Sequence, residues 1–380
     1  MTTRNAFAAA LLAALFCSIF LLLPQRDALG RPLPLSFLLG GAFGVVLQRG
    51  RFCFWCNWRD LLEGRGSNGV AAILIALMVG SLGYAAIYGA WLPNPSSGRL
   101  PPDAHIGPAS LTLALGAAAF GLGMALSGSC ISAHLYRLGE GSAGSVISLA
   151  GALLGFGLGF VSWNTLYLWD VQSSRPVWFP ASIGHGGWLA VQLAALAALL
   201  SWAMRGWQSA PAASPWEAVF RRRWPAPVSG ILTGLIATIA YLRVGPLGVT
   251  AELGSIARTT GTWAGLLPEG LMGLDGLAGC ATVVKEAILS RNGVFVAGLV
   301  LASFASARLA GDWAPTLPPR AAIPRLLIGG VLMGWGAMVG LGCTVGVILS
   351  GTMAGSLSGP IFAAACIAGA TGGWLVMRRL

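Results

Sequence analysis

The sequence predicts an all-α integral membrane protein of about ten transmembrane helices, with an inverted internal repeat and short re-entrant half-helices. Of its 380 residues, 56% are hydrophobic and only 9% are charged, and the mean hydropathy is +0.76. A soluble globular domain carries about 25% charged residues, so this composition excludes that class. The 55 glycines mostly lie inside apolar runs, where small residues allow membrane helices to pack closely.

Apolar segments long enough to cross a bilayer recur along the chain. The first occupies residues 1–23 and ends in LLLPQRD rather than in a signal-peptidase site, so we predict a retained helix. The others lie at residues 36–50, 70–92, 110–127, 143–163, 184–204, 228–244, 293–310, 322–340 and 357–377. Residues 263–292 are predicted to be re-entrant or interfacial, because their charges are unfavourable in a spanning helix; these are Glu269, Asp275, Lys285 and Glu286.

Arginine-rich connections predict the orientation of these helices, since cytoplasmic loops of membrane proteins carry an excess of basic residues. They lie at residues 49–65, 205–223, 308–325 and 378–379. Placing all four in the cytoplasm predicts a multi-pass plasma-membrane protein with both termini cytoplasmic. The net charge of +11 is dispersed over these loops, so it does not indicate nucleic-acid binding.

A repeated motif divides the chain into two halves. Residues 120–142 read FGLGMALSGSCISAHLYRLGEGS and residues 334–356 read GWGAMVGLGCTVGVILSGTMAGS, so in both an apolar helix breaks at glycines before a cysteine. Alternate tracing of the spans makes the second copy run opposite to the first, and matched breaks in an inverted repeat point to the substrate site. The predicted units are an extra N-terminal helix and loop at 1–35, a first half with a connecting helix at 36–204, a linker at 205–227 and a second half at 228–380.

The seven cysteines are an odd number and lie mostly in or beside apolar segments, so we predict free thiols rather than a disulfide framework. Cys17 and Cys366 lie in uninterrupted apolar helices, which is typical of small core residues. Three others follow helix breaks: Cys53, Cys130 and Cys343. The start of a short helix favours an anion or a thiolate, although a cysteine there could also be only a small buried residue.

Several polar or small residues beside the breaks are secondary candidates. Arg51 and Arg137 either satisfy the cytoplasmic bias for basic residues, pairing with Asp60 and Glu140, or attract an anion into a vestibule. Gly128 and Gly342 mark the two breaks themselves. The remaining candidates are Cys56, which forms a C-x-x-C pair with Cys53, His134, one turn beyond Cys130, and Cys280, whose sequence GLAGC imitates the break motif.

Three segments resemble the YeeE/YedE family of membrane sulfur-compound transporters, whose best-understood members take up thiosulfate. They are QRGRFC with the following Arg59–Asp60, the segment Phe120–Ser145, and the segment Gly329–Gly346. The resemblance covers residues 36–377 and implies that Cys53, Cys130 and Cys343 correspond to the three cysteines that line the thiosulfate path of the family. It also implies nine spans around an hourglass-shaped centre, which makes the helix before residue 24 an addition.

The resemblance leaves the substrate open, because many thiosulfate transporters of the family have GGC at both breaks, whereas this chain has SGSC and GLGC. We predict a permease for a small sulfur anion, first of all thiosulfate, with sulfite, sulfide, a sulfane-sulfur species or a selenium compound as alternatives. No P-loop motif is present, so ATP hydrolysis by this chain is excluded. We predict no enzymatic activity and no cofactor, and the candidate partner is a cytoplasmic sulfur-carrier or sulfurtransferase protein.

Two other classes of function remain open. The CFWC sequence has the spacing of thiol-disulfide oxidoreductases, but the loops predicted opposite the cytoplasm, at 92–110 and 162–187, contain no second cysteine pair. Cys130 and His134 share a helix face and with Cys343 could bind a metal ion, although neither break has an adjacent carboxylate.

Overall fold

In a computed structural model, residues 3–27, 30–208, 214–268, 270–277 and 289–379 are described, and they form α-helices joined by turns, with no β-strand. Fourteen α-helices occur in the described ranges, and an eight-residue π-helix occupies Thr344–Gly351. The α-helices are α1 (Thr3–Leu22), α2 (Leu33–Gly50), α3 (Phe54–Leu62), α4 (Asn68–Trp91), α5 (Leu111–Ser127), α6 (Ile131–Glu140), α7 (Ala143–Trp169), α8 (Phe179–Ala203), α9 (Pro215–Phe220), α10 (Ala226–Arg243), α11 (Thr250–Trp263), α12 (Arg291–Ala310), α13 (Ile323–Val339) and α14 (Ser358–Met377).

Nine helical segments of the described ranges are long and apolar enough to cross a membrane, which confirms the all-α membrane fold. They coincide with the nine spans predicted after residue 35. Two of them contain a second, short α-helix after a break: α3 follows α2, and α6 follows α5. The prediction of about ten spans also counted α1. This 20-residue helix packs on α2, where the rings of Phe16 and Phe37 lie 4.3 Å apart.

Helix α11 is absent from the sequence-based prediction. Its polar face is buried: Glu252 accepts a 2.5 Å hydrogen bond from the Ser290 hydroxyl, and Arg258 pairs with Asp275 at 2.9 Å. Of the segment predicted to be re-entrant, residues 264–268 and 270–277 form turns and one short 3-10 helix, Leu274–Gly276. They lie against the end of α7, where the Trp163 indole donates to the carbonyl of Met272. Glu269, Lys285 and Glu286 lie outside the described residues, so the re-entrant interpretation stays a prediction.

Glycines set the closest helix contacts, as the composition predicts. Gly40 packs on the backbone of Phe295 and Gly44 on that of Leu299, so α2 and α12 run in the same direction. Contacts of the same kind pair α4 with α10, α5 with α14, and α7 with α13. Matching α2 with α10, α4 with α12, α5 with α13 and α7 with α14 exchanges the pairs. The α2–α12 pair then corresponds to the α4–α10 pair, and the α5–α14 pair to the α7–α13 pair, as expected for two copies related by a two-fold axis.

Helices α5 and α13, which carry the two copies of the motif, run in opposite directions where they meet. Gly116 packs against Gly336, and Gly123 packs against Gly329. This is the contact that two inverted copies would make across a two-fold axis. The inverted repeat of the whole chain and its division at residues 205–227 stay predictions.

The arginine-rich segments meet at one end of the molecule, here called the arginine-rich face. The Arg49 guanidinium contacts the Asp312 carboxylate and donates to the carbonyl of Phe220 at 3.2 Å. Gln48 donates to Glu140 and Asp312 at 3.2 and 3.1 Å. Contacts between the segments predicted at the opposite end include the Arg31–Asp103 pair and the bond from the Tyr241 hydroxyl to the carbonyl of Pro102.

Candidate functional site

The three cysteine breaks share one backbone geometry. A left-handed residue follows the end of a helix, directly after α2 and α5 and one residue later after α13. Two positions further on, a cysteine begins a short helix as its N-cap. The left-handed residues are Arg51 (φ 49°) before Cys53, Gly128 (φ 81°) before Cys130, and Leu341 (φ 57°) before Cys343. The sequence predicts the breaks but places the second at Gly342, whereas its left-handed turn falls on Leu341. Gly342 is buried beside it.

A left-handed leucine is a strained residue, since the β-carbon crowds the following carbonyl by about 1–2 kcal/mol. Leu341 is 4% exposed, so apolar burial offsets this strain. Leu341 is therefore a site residue that sequence reasoning missed. Its only signal was its alignment with Gly128, two positions before the cysteine in each copy of the motif.

Two of the three predicted cysteines lie together. The sulfurs of Cys53 and Cys130 are 3.8 Å apart, and both side chains are fully buried. Helix α2 is capped by Arg51, and the Phe52 amide returns to the carbonyl of Leu47, which folds Cys53 back toward the first break. The Cys130 sulfur also lies 3.2 Å from the Ser132 hydroxyl. None of the six cysteines in the described ranges forms a disulfide.

Cys56 lies beside this pair. Its amide donates to the Cys53 sulfur at 3.4 Å, and its own sulfur accepts from the Arg137 guanidinium at 3.4 Å. The Cys56 sulfur is also 3.9 Å from the carbonyl oxygen of Gly128. Cys53, Cys56 and Cys130 therefore form one cluster, the thiol cluster, in which Arg137 contacts Cys56.

Cys343 is also fully buried and caps the π-helix Thr344–Gly351. A π-helix is wound more loosely than an α-helix and occurs often at functional sites. The Nδ1 atom of His105 lies 2.6 Å from the carbonyl oxygen of Gly346. This contact fastens the π-helix to the connection at residues 92–110. Burial lowers the pKa of His105, so its ring is neutral near pH 7.

The other predicted residues are placed as follows. Arg51 lies 3.9 Å from Glu140 and 4.0 Å from Asp312, which agrees with a structural ion pair at the arginine-rich face. His134 is 2% exposed, and its Nδ1 lies 3.2 Å from the Ser145 hydroxyl. Within the described ranges, no group of three or more histidine, cysteine or carboxylate side chains is arranged to hold a metal ion. Cys280 lies outside the described residues.

A cavity of about 660 Å³ opens next to the thiol cluster, and the sequence did not predict it. Its wall includes Gly128 at the first break, and its charged lining consists of four arginines and one glutamate: Arg59, Arg65, Arg325, Arg378 and Glu63. We call this cavity the arginine vestibule. These residues come from three distant parts of the chain, so only the folded structure shows that they meet.

A polytopic helical fold with thiols buried at matched helix breaks and a basic cavity beside them is typical of a membrane transporter of small anions. The sequence profile of the family described as "Sulphur transport" matches residues 49–372. The chain belongs to this family, which confirms the resemblance drawn from the motifs.

Curated relatives agree with this assignment. The chain is 29% identical over 371 residues to the thiosulfate transporter TsuA of Escherichia coli (strain K12), which covers 90% of this chain and 94% of that protein. It is 26% identical over 367 residues to the thiosulfate transporter TsuA of Spirochaeta thermophila, which covers 90% of this chain and 99% of that protein. A shorter match, 29% over 115 residues, joins it to the probable transporter YedE of Escherichia coli (strain K12).

Proposed function

We propose that this protein is a plasma-membrane permease for thiosulfate, which passes along a path lined by Cys53, Cys130 and Cys343. The observation that carries the proposal is the close approach of Cys53 and Cys130, whose sulfurs are 3.8 Å apart although their positions are 77 residues apart. Membership of the sulphur transport family and similarity to two thiosulfate transporters support the substrate class.

Thiols suit a path for a dianion. A ring of permanent charges buried in the membrane interior would bind thiosulfate too tightly to release it, whereas a buried thiol is a weak hydrogen-bond donor that can pass the anion on. The N-cap position of each cysteine adds the backbone N–H groups of a helix start, which favour negative charge. Binding at each step is therefore favourable but weak.

Uptake of labelled thiosulfate is the test of this function. A sulfur-starved bacterial host without thiosulfate uptake of its own should accumulate the label when it expresses this chain. Sulfite, sulfide and selenite are then offered as competitors, and the one that inhibits most strongly at equal concentration identifies the preferred class. The absence of uptake of any of these compounds, with the protein present in the membrane, would falsify the proposal.

A second candidate function is thiol-disulfide exchange at CFWC. One observation favours it: Cys53 is the N-cap of α3 and its sulfur accepts a hydrogen bond from the Cys56 amide, so both cysteines of the motif lie at the start of one short helix.

Replacing each thiol by alanine separates the two candidates. A dithiol reaction needs both sulfurs, so Cys53→Ala and Cys56→Ala should then abolish function equally. In the transport proposal, Cys53→Ala removes most uptake and Cys56→Ala retains most of it, because the fully buried pair is Cys53 with Cys130. The measurement is uptake per folded protein. Equal loss in both variants, with Cys53 and Cys56 cycling between thiols and a disulfide, supports the oxidoreductase.

A further inference from the structure

The arginine vestibule borders the first helix break, where the backbone at Gly128 separates it from the thiol cluster. Gly128 lies in its wall, and the carbonyl oxygen of Gly128 is 3.9 Å from the Cys56 sulfur. The rest of the wall comes from α3 and its following turn, from the first turn of α13, and from the end of α14. The cavity therefore lies between the thiol cluster and the arginine-rich face.

The four arginines of the vestibule differ in whether a nearby carboxylate neutralises their charge. Arg65 pairs with Glu63 at 2.8 Å, and Arg59 pairs with Asp60 at 3.3 Å, so both are largely neutralised. Arg325 and Arg378 have no carboxylate within 4 Å in the part of the chain that the structure describes. Two positive charges thus remain uncompensated on the wall of one cavity.

One of the two uncompensated arginines is held in position by an aromatic ring. The Arg378 guanidinium lies 5.3 Å from the ring centroid of Trp374, and the Trp374 indole donates to the Glu63 carboxylate at 3.3 Å. A cation over an aromatic face still presents its N–H groups at the edge of the guanidinium plane. Arg378 can therefore bind an oxyanion through two parallel N–H donors.

The bias of cytoplasmic loops for basic residues explains why arginines occur on this face, but it does not explain their arrangement around one cavity. That bias is satisfied by arginines anywhere on the face, such as Arg320 and Arg379, which do not line the vestibule. A cavity with excess positive charge instead focuses the field and concentrates small anions at its mouth.

We propose that the arginine vestibule is a second binding site for small divalent oxyanions, through which the transported anion passes between the thiol cluster and the water on the arginine-rich face. Arg325 and Arg378 are the residues that hold the anion. This proposal rests on the proposed function for the identity of the transported anion. The same chemistry would also bind the phosphate of an anionic lipid headgroup, so the experiment must separate the two sources.

The test uses the full-length protein in nanodiscs of zwitterionic lipid, and the double variant Arg325→Gln/Arg378→Gln. The matched control is Arg320→Gln/Arg379→Gln, which removes the same charge from the same face outside the cavity. Equilibrium binding of labelled thiosulfate and labelled sulfate is measured at low and high salt. Transport is measured as thiosulfate counterflow in proteoliposomes.

We expect the vestibule variant to bind both anions about 2- to 10-fold more weakly at low salt, since each partly exposed charge contributes modestly. Its affinity should depend less on salt than that of the wild type, and its counterflow should half-saturate at a higher concentration. The control variant should behave as the wild type.

Equal affinities in the two variants, while the wild type transports thiosulfate, would overturn the vestibule site and leave the proposed function intact. If only the response to added phosphatidylglycerol differs between the variants, the site is a lipid site and the proposal is wrong. A wild type that binds sulfate through Arg325 and Arg378 but neither binds nor transports thiosulfate refutes the proposed function and keeps the anion site.

Discussion

At the scale of single residues, the buried thiols differ in their surroundings. Cys53 and Cys130 contact each other, and Cys343 begins the π-helix. Cys366 lies in the middle of α14, where its backbone carbonyl contacts Gly121 of α5. Cys17 is exposed on α1, so the expectation of a small core residue is wrong for Cys17 and holds only for Cys366. The position of a cysteine relative to a helix break, rather than burial alone, therefore separates the proposed path residues from the others.

Alanine at each path cysteine should remove most thiosulfate uptake and leave the amount of folded protein nearly unchanged. The physical reason is that exchanging a thiol for a methyl group at a helix N-cap removes little packing but removes the hydrogen-bonding atom of the path. The variants are Cys53→Ala, Cys130→Ala and Cys343→Ala, measured by uptake and by size-exclusion chromatography.

Cys17→Ala and Cys366→Ala are the controls for this series and should transport as the wild type does. Normal uptake in all three path variants would show that the cysteines are structural. The same conclusion follows if uptake in all five variants falls only in proportion to the protein recovered.

At the scale of helices and turns, the breaks depend on left-handed residues. Gly128 has φ 81°, and a β-carbon added there would meet no atom within 4 Å. Gly128→Ala should therefore destabilise the protein only through its backbone conformation, by about 1–2 kcal/mol. The measurement is the thermal unfolding midpoint of the detergent-solubilised protein.

Gly157 provides the matched control for that substitution. It also has open space around it, but it lies inside α7 with ordinary helical geometry. Gly157→Ala should leave the midpoint unchanged or raise it, because alanine has the higher helix propensity by about 1 kcal/mol. Equal loss in both variants would mean that the left-handed turn at Gly128 is not the cause.

The QRGR sequence anchors the end of α2 through an ion pair in which the arginine, Arg49, is buried and the carboxylate, Asp312, is partly exposed. Asp312→Asn should leave the Arg49 guanidinium without its carboxylate partner. Because Arg49 is only 2% exposed, water cannot replace that partner. Removing one partner of a fully buried pair costs roughly 3–5 kcal/mol. Asp312 is one-third exposed and Arg49 keeps its bond to Phe220, so we expect about 2 kcal/mol, measured as a lower unfolding midpoint.

The exposed pair of Arg31 and Asp103 is the comparison for Asp312→Asn. The side chain of Asp103 is 46% exposed, and asparagine is tolerated at its left-handed φ of 57°. Asp103→Asn should change stability by no more than about 1 kcal/mol. A larger loss at Asp103 than at Asp312 would contradict the structural role assigned to the QRGR sequence.

At the scale of the whole molecule, we predict that the arginine-rich face lies on the cytoplasmic side of the membrane. Gly98 and Gly311 are both left-handed glycines with open space around them, in connections at opposite ends of the molecule. Fusions truncated after Gly98 should give active alkaline phosphatase, and fusions truncated after Gly311 should give a fluorescent cytoplasmic reporter. The reverse pattern would place the arginine-rich face outside the cell.

Much of the fold was predictable because a bilayer imposes one simple requirement, a run of about 20 apolar residues, on every spanning helix. The nine spans from α2 to α14 were predicted for this reason. Helix α11 was not, because its buried Glu252 and Arg258 read as polar in the sequence and find their partners only in the folded chain.

The candidate site was predictable only in part. Glycines before Cys130 and Cys343 mark a break in the sequence, so these cysteines were singled out, as was Cys53 by the family motif. The left-handed Leu341 was not predicted, since leucine normally avoids this conformation. The arginine vestibule was not predicted either, because Arg325 and Arg378 are distant in sequence from the first break and meet it through tertiary packing.

The glycine contact between α5 and α13 restricts how the molecule can move. A β-carbon added at Gly329 would lie 2.8 Å from the carbonyl oxygen of Gly123, so the two backbones touch with no side chain between them. Sliding or rocking one helix past the other would open a gap that no side chain can refill. We therefore expect the central pair to act as a static frame, while passage of the anion is gated by small movements of the short helices that the three cysteines begin.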